Sequence, residues 1–380
     1  MAGQVSGGTG ATPTSAVTGP AYPELGFYGL AGHTENPGDL IGEVHRAEEL
    51  GLGTVFLSER FNYKDAAVMS GMAAAASSTL GIATAATNHN TRHPLITATM
   101  AATMHRATGG RFALGLGRGF APLFDLMGVP RITNAQLVDA FDVMRRLWAG
   151  EKFAHSGPIG DYPFLMPLSD LDERIPLLMV AIGPKSQALA GRIADAVVLH
   201  TYMTDEAVAR SVKIIRNAAE EAGRDPDAVR IWACTAVIDD AIDTQTRLRK
   251  TVGRLVTYLQ GYGDTLVAAN GWDPEQLRAF KEDPFVTGFA GAFDAVGTVD
   301  DLTHLAEKVL PAEWLEAAIT GSAEHCARAV ADQFGSTGVD SIIMHGVAPE
   351  QLSGVVGAYG AVRPDSVAAR ELPANPGWNA

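Results

Sequence analysis

Residues that could carry chemistry occur directly after short apolar segments of this 380-residue chain. Histidine can take or give a proton near neutral pH, a carboxylate can act as a base, and arginine and lysine bind anions. Together they predict a polar site, although any single one could be an ordinary surface-loop residue. The residues are His33, Glu59, Arg60, Thr87, Asn88, His89, Arg118, Lys185, His200 and His345.

The elements that must position these residues alternate regularly. Apolar segments that read as buried strands lie at 25–30, 54–57, 80–87, 112–116, 177–181, 197–199, 231–237 and 341–344. Helical patterns lie at 37–50, 65–77, 95–107, 134–148, 185–194, 206–222, 244–260 and 322–334. Eight strand–helix units predict an α/β protein folded as a closed (β/α)8 barrel. In such a barrel the polar residues after the strands meet at one face.

The domain organisation follows from the same pattern. Residues 1–22 are rich in Gly, Ser, Thr and Ala and lack the basic and apolar regions of a secretory signal, so we expect a disordered extension. Residues 23–372 form one predicted barrel domain, with insertions at about 151–174 and 262–320. A separate helical domain at 262–320 is the alternative.

Composition limits the partners. The net charge of −14 argues against nucleic acid, because a duplex binder needs an excess of cations. No apolar run approaches the roughly 20 residues of a membrane span. The only cysteines, Cys234 and Cys326, are far apart and lack metal-ligand spacing, which favours a reducing, cytoplasmic compartment and no metal. We therefore expect a small-molecule substrate.

The segment from Thr87 to Pro94 carries a family resemblance. It is similar to the loop after the third strand in the F420-dependent branch of the bacterial luciferase-like superfamily, which includes methylene-tetrahydromethanopterin reductases. The resemblance implies a non-prolyl cis peptide at Ala85–Ala86 that supports the deazaflavin ring of coenzyme F420. The end of this segment also reads as a helix start with proline in the first turn. The matching residues are Thr87, Asn88, Thr91, Arg92, His93 and Pro94.

A second match lies ten residues before Asp195. Ala181, Gly183, Pro184 and Lys185 resemble the same family's A-x-G-P-K segment, which implies a phosphate of the cofactor nearby. Proline suits the first helical position because the N–H that it lacks would have no acceptor within the helix. The free N–H groups of a helix start bind anions. An ordinary strand–helix turn is the alternative.

The glycines of residues 115–119 suggest a nucleotide loop. The segment fails as a dinucleotide fingerprint, because Phe120 occupies the position of the third glycine. It resembles instead the G-x-G-x-G at the end of the family's fourth strand, which implies that Arg118 and Gly119 lie near the cofactor or substrate.

Arg60 is where the chain departs from the resemblance. Better-known family members have an acidic residue followed by histidine here, whereas this chain has Glu59 followed by Arg60. Arginine stays protonated and cannot be a general base, but it can hold an anion or stabilise an oxyanion. Glucose-6-phosphate oxidation is therefore in doubt, and the acid–base candidates become His33, His89, His200 and His345.

The resemblance implies hydride transfer between F420 and a small organic substrate, in a protein that forms a homodimer. A monooxygenase that uses reduced FMN and O2 on the same barrel is the alternative, and a non-catalytic flavin or deazaflavin carrier is a third possibility. The expected catalytic residues are Glu59, Arg60, His89 and His200. The expected cofactor-binding residues are Glu59, Ala85, Ala86, Thr87, Asn88, Arg118, Gly119, Ala181, Gly183, Pro184 and Lys185.

Overall fold

Eight short strands pair in parallel and close into a barrel in the computed structural model, which describes residues 19–33, 35–61, 63–167 and 171–379. The barrel order is β1-β2-β3-β4-β7-β8-β9-β11, and β11 pairs again with β1. This confirms the predicted (β/α)8 barrel. The strands are β1 (Tyr22–Tyr28), β2 (Leu52–Leu57), β3 (Gly81–Thr84), β4 (Phe112–Leu116), β5 (Phe153–Gly157), β6 (Gly160–Leu165), β7 (Leu177–Ala181), β8 (Ala196–Leu199), β9 (Arg230–Asp239), β10 (Ile319–Gly321) and β11 (Ser341–His345).

Helices surround the barrel, and each of the eight predicted helical segments is present. Several of them start at side-chain caps such as Asp65, Thr133 and Ser322, which accept hydrogen bonds from the first-turn N–H groups. The helices are α1 (Leu40–Glu49), α2 (Ala66–Ala76), α3 (Pro94–Ala107), α4 (Ala121–Met127), α5 (Asn134–Trp148), α6 (Pro184–Ile193), α7 (Asp205–Glu221), α8 (Thr244–Leu248), α9 (Arg254–Asn270), α10 (Pro274–Glu282), α11 (Pro284–Gly288), α12 (Phe293–Val296), α13 (Val299–His304), α14 (Ala312–Leu315), α15 (Ala323–Thr337), α16 (Ser353–Val362) and α17 (Asp365–Ala368).

The predicted insertions contain regular structure. The first, 151–174, holds the antiparallel hairpin of β5 and β6, which the sequence pattern did not reveal. Asp139 of α5 anchors this hairpin, because its carboxylate accepts a hydrogen bond from the Ile159 N–H at 2.9 Å and contacts His155 Nε2 at 3.0 Å. The second, 262–320, contains five short helices and β10. Strand β10 pairs in parallel with the carboxyl end of β9.

The ends of the chain bear on the predicted boundaries. A disordered extension was predicted for residues 1–22. Residues 1–18 lie outside the described part of the chain, and β1 already begins at Tyr22. None of the helices in the described part of the chain has the length and apolarity that crossing a membrane requires.

A C-terminal plug, residues 373–379, closes the amino-terminal end of the barrel. Arg230 is fully buried at the start of β9 and donates to the carbonyl oxygens of Asn375 and Trp378, each at 3.3 Å, and to that of Pro23 at 2.8 Å. Trp232, two residues further along β9 and inside the barrel, donates from Nε1 to the carbonyl of Pro376 at 2.9 Å. The packed chain therefore continues past residue 372.

Replacing Arg230 with methionine tests the plug. The variant leaves several buried carbonyl oxygens without a donor, and each such group costs about 1–3 kcal/mol, so we expect the free energy of unfolding to fall by about 3 kcal/mol in urea titrations. Arg328→Met, on the exposed face of α15, is the matched control and should leave stability unchanged. Equal stabilities for the two variants would contradict a structural role of the plug.

Candidate active site

Glu59 lies at the centre of a buried network at the carboxyl ends of β2 and β3. Its side chain is 4% exposed, and Oε2 accepts from Arg92 Nη1 at 2.7 Å and from Thr87 Oγ1 at 2.9 Å. Oε1 accepts from the N–H of Ala66 at 3.2 Å, at the start of α2. The carboxylate is thus engaged by protein groups, and Arg92 also pairs with Asp65. The role expected for Glu59 toward substrate or cofactor stays a prediction.

The end of β3 forms a surface of small residues, Ala85 and Ala86. The peptide bond between Ala85 and Ala86 is cis, which confirms the position that the family resemblance implied for it. The neighbouring strand β4 approaches so closely that a Cβ on Gly115 would overlap the carbonyl oxygen of Thr84, and one on Gly117 would lie 2.9 Å from Ala86 Cβ. Close strand packing therefore accounts for these two glycines, and a planar ring could lie against the alanines.

Thr87 and Asn88 follow this surface and are both buried. The Thr87 hydroxyl belongs to the Glu59 network, and Asn88 Nδ2 donates to the carbonyl of Gly117 at 2.8 Å. Their side chains therefore join β3 to β2 and β4. Because both side chains already bind protein groups, Thr87 and Asn88 would contribute to a cofactor site by fixing the backbone after β3.

A possible anion site lies beside them, after β4 and β7. Gly183 precedes α6 and has no side chain to cap it, so the first turn of α6 is left without a side-chain cap. Lys185 in that turn is exposed, and so are Arg118 and Gly119 after the adjacent strand β4. Ala181, in contrast, is buried at the end of β7.

His200, after β8, is enclosed by aromatic residues. Its ring meets the rings of Tyr258 and Tyr262 edge-on, with centroids 4.9 and 5.0 Å apart. Both tyrosines belong to α9, which crosses the mouth of the barrel, the opening at the carboxyl ends of its strands. His200 Nδ1 lies 2.8 Å from the carbonyl oxygen of Thr201, so Nδ1 carries the proton and Nε2 the lone pair. Burial lowers the pKa of His200 to about 4, and the ring is neutral at pH 7.

His345, the last residue of β11, completes this side of the mouth. Its ring packs edge-on against Tyr28 at the end of β1, with centroids 5.2 Å apart, and Nδ1 has no hydrogen-bond partner among the described residues. Burial lowers the pKa of His345 well below its usual value, and the positive charges of Arg254, Lys250 and Arg60 lower it further. The mouth therefore holds two neutral histidines.

Two other histidines have different surroundings. His33 Nε2 contacts Asp294 Oδ1 at 3.1 Å, and Asp294 Oδ2 lies 2.8 Å from Arg254 Nη1 in an ion pair. Asp294 therefore joins the loop after β1 to α9. Burial lowers the pKa of His89, and the negative charge of Asp139 on α5 opposes that shift. His89 Nε2 is buried and has no hydrogen-bond partner among the described residues.

The tyrosines of α9 are residues that sequence reasoning missed. Arg254, Tyr258 and Tyr262 recur at a spacing of four and so share one helix face. That spacing was the available signal, but nothing local indicates that the face lies over the barrel. Part of the helix falls in the segment treated as an insertion.

Comparison with known proteins gives consistent matches. The family model described as luciferase-like monooxygenase matches residues 23–341. The 5,10-methylenetetrahydromethanopterin reductase of Methanolobus tindarius is 31% identical over 238 residues, which are 60% of this chain and 69% of the reductase.

Solved structures share the barrel. The coenzyme F420-dependent tetrahydromethanopterin reductase from Methanopyrus kandleri superposes with a TM-score of 0.71 at 20% identity, over 90% of this chain and 99% of the reductase. The oxygenating constituent of 3,6-diketocamphane monooxygenase from Pseudomonas putida, in complex with FMN, gives a TM-score of 0.64 at 19% identity, over 89% and 97% of the two chains. At these identities the likeness establishes the fold alone.

The Glu59–Arg92 pair can be measured with a double-mutant cycle. Glu59→Gln and Arg92→Met should each destabilise the protein, and because the pair is buried we expect a coupling energy of about 2 kcal/mol in urea unfolding. The exposed pair Asp125–Arg131 is the control, and its cycle should give no measurable coupling. Equal coupling in the two cycles would show that burial does not strengthen the Glu59 network.

The low pKa of His200 predicts a pH dependence of stability. Between pH 6.5 and 4 the unfolded chain binds a proton at this residue that the folded chain does not, so stability falls as the pH falls. His200→Gln removes this contribution, and the loss of unfolding free energy between pH 7.5 and pH 5.5 should shrink by about 1 kcal/mol. His45→Gln, at an exposed position on α1, should leave the loss unchanged. An unchanged loss in His200→Gln would mean that the folded histidine titrates normally.

Proposed function

This chain belongs to the luciferase-like monooxygenase family, and on that premise we propose that it transfers hydride between coenzyme F420 and a small organic substrate. The observation that carries the proposal is the arrangement on β3, β4 and β7. There the small-residue surface of Ala85 and Ala86 lies next to the exposed Arg118 and the uncapped start of α6 at Gly183.

These residues fit a flat ring with an anionic tail. Alanine side chains leave room for a planar ring against the backbone of β3. The backbone N–H of Lys185 in the first turn of α6, with the side chains of Lys185 and Arg118, can hold a phosphate although the net charge of the chain is negative. When bound, F420 would supply the carbon that accepts or donates hydride. The protein supplies binding, orientation and charge stabilisation.

His200, on the other side of the mouth, could accept the proton of a substrate hydroxyl. His200 keeps Nδ1–H on the Thr201 carbonyl, and its Nε2 can accept a hydrogen bond from a substrate hydroxyl. The guanidinium of Arg60 can stabilise negative charge that develops on the substrate oxygen as hydride leaves or arrives. The rings of Tyr258 and Tyr262 shield His200 from water.

A flavin monooxygenase is the second candidate. A structural neighbour with this barrel was solved with FMN, so the fold alone does not choose between the two cofactors. The basis for F420 is the loop from Thr87 to Pro94, together with the similarity to the Methanolobus tindarius reductase.

Titration of the apo-protein with F420 and with FMN, followed by fluorescence, tests the proposal. We expect F420 to bind below about 100 μM, which corresponds to roughly −5.5 kcal/mol, and more tightly than FMN. Arg118→Gln and Lys185→Gln should each weaken F420 binding about fivefold to tenfold, because each removes a charged hydrogen-bond donor. Lys213→Gln, at an exposed position on α7, is the control. Absence of F420 binding, or tighter binding of FMN, would defeat the proposal.

A further inference from the structure

A cavity of about 490 Å³ lies at the amino-terminal end of the barrel, opposite to the mouth. Its lining includes Ile175, two residues before β7, and Asp195, directly before β8. Four arginines and two carboxylates line it, so its charged side chains carry a net charge of +2 in a chain whose net charge is −14. The charged residues are Arg145, Arg174, Arg192, Arg224, Glu173 and Asp195.

The two carboxylates of the cavity already have partners. Asp195 Oδ2 lies 3.3 Å from Arg145 Nη2 and accepts a hydrogen bond from the N–H of Leu177 at 2.9 Å. Glu173 Oε1 accepts from Arg106 Nε at 2.6 Å, and Arg106 belongs to α3 rather than to the lining of the cavity. The negative charges of the cavity are therefore paired with Arg145 and Arg106.

The carboxyl end of α6 forms one wall of the cavity. By itself it would repel an anion, because the last carbonyl groups of a helix carry partial negative charge. Arg224 donates to the carbonyl oxygens of Gly191 and Ala194, at 2.6 and 2.7 Å. Arg145 donates to that of Ile193 at 2.7 Å. These two arginines thus compensate the carbonyl groups of this wall.

Arg174 and Arg192 are the remaining cations of the cavity. Both are exposed, and neither forms an ion pair or a hydrogen bond with a residue that the structure describes. A cation in the last turn of α6 is favoured by the helix dipole, which accounts for Arg192 alone. Arg174 lies in the segment between β6 and β7, outside the helices. Two guanidinium groups without a protein counter-ion therefore line the same cavity.

We propose that this cavity binds a phosphate monoester, with Arg174 and Arg192 as the residues that bind the phosphate. Near neutral pH a phosphate monoester carries close to two negative charges and three terminal oxygens, which match two guanidinium forks. A sulfate ester carries one charge and would leave one guanidinium unpaired. The volume lies within the range of about 300–1,000 Å³ that is usual for ligand pockets, and Ile175 and Ile193 offer apolar surface to the organic part.

The proposed site is separate from the anion site at Gly183 and Lys185. Helix α6 lies between them, since Gly183 precedes its first residue and Ile193, its last residue, lines the cavity. The ten residues of α6 span about 15 Å, so one phosphate group cannot contact both sites. The inference therefore does not depend on the proposed hydride transfer or on its cofactor.

Phenyl phosphate and phenyl sulfate test the site, because they share a shape and differ by about one charge at about pH 7.5. Both are titrated at low ionic strength into the full chain and followed by ligand-observed NMR. The chain carries Arg118→Gln and Lys185→Gln throughout, which removes binding at the other anion site. We expect phenyl phosphate to bind at least about fivefold more tightly than phenyl sulfate, because it can pair with both guanidinium groups.

Variants of the two arginines locate the binding. Arg174→Gln and Arg192→Gln should each weaken phenyl phosphate binding about fivefold, because each removes a charged hydrogen-bond donor. Arg192→Lys should retain part of the affinity, since it keeps the charge and loses the fork. Arg328→Gln, at an exposed position on α15, is the matched control and should bind phenyl phosphate as before.

Three outcomes would overturn the inference. The first is equal binding of phenyl phosphate and phenyl sulfate, which needs no variant of the cavity and so decides even if such a variant fails to fold. The second is unchanged phenyl phosphate binding in folded Arg174→Gln and Arg192→Gln proteins. The third is tighter binding of phthalate than of phenyl phosphate, which would indicate a dicarboxylate site.

Discussion

The mouth of the barrel depends on one buried carboxylate. Glu59 receives hydrogen bonds from Arg92, from Thr87 and from the N–H of Ala66, and its own N–H donates to the carbonyl of Ala86 at 3.0 Å. These bonds join the end of β2 to the loop after β3 and to the start of α2. A buried charge is stable only when it is paired and hydrogen-bonded in this way, so the positions of the four groups are interdependent. The next residue, Arg60, is left outside the network.

The barrel could be predicted because its determinants are local. Segments such as 54–57 and 112–116 are short, apolar and followed by helical patterns, which is the signature of a parallel sheet covered on its outer side. The hairpin at Phe153–Leu165 pairs locally, but its strands contain Gly and Pro and few β-branched residues, so their sequence is typical of a loop. The C-terminal plug escaped prediction because its partners are remote. Asn375, for example, donates to the carbonyls of Gly110 and Phe112, more than 260 residues earlier in the chain.

The site was predictable only in part, for a related reason. Position after a strand indicates which end of the barrel a residue occupies, and His200 and His345 do lie at the carboxyl ends of β8 and β11. It does not indicate which groups surround a side chain, such as the tyrosine rings that meet His200. The tyrosines of α9 could not be predicted, because the path of an insertion over the barrel depends on long-range contacts such as the Arg254–Asp294 ion pair.

The charges near the mouth are balanced group by group. Asp294 lies against Arg254 and His33, and Glu59 against Arg92 and Thr87, so each buried carboxylate has its own partners. His200 and His345 pack against aromatic rings, and burial lowers their pKa values, which keeps both neutral at pH 7. A further charge introduced here would need a partner of its own, because burying an unpaired charge is costly.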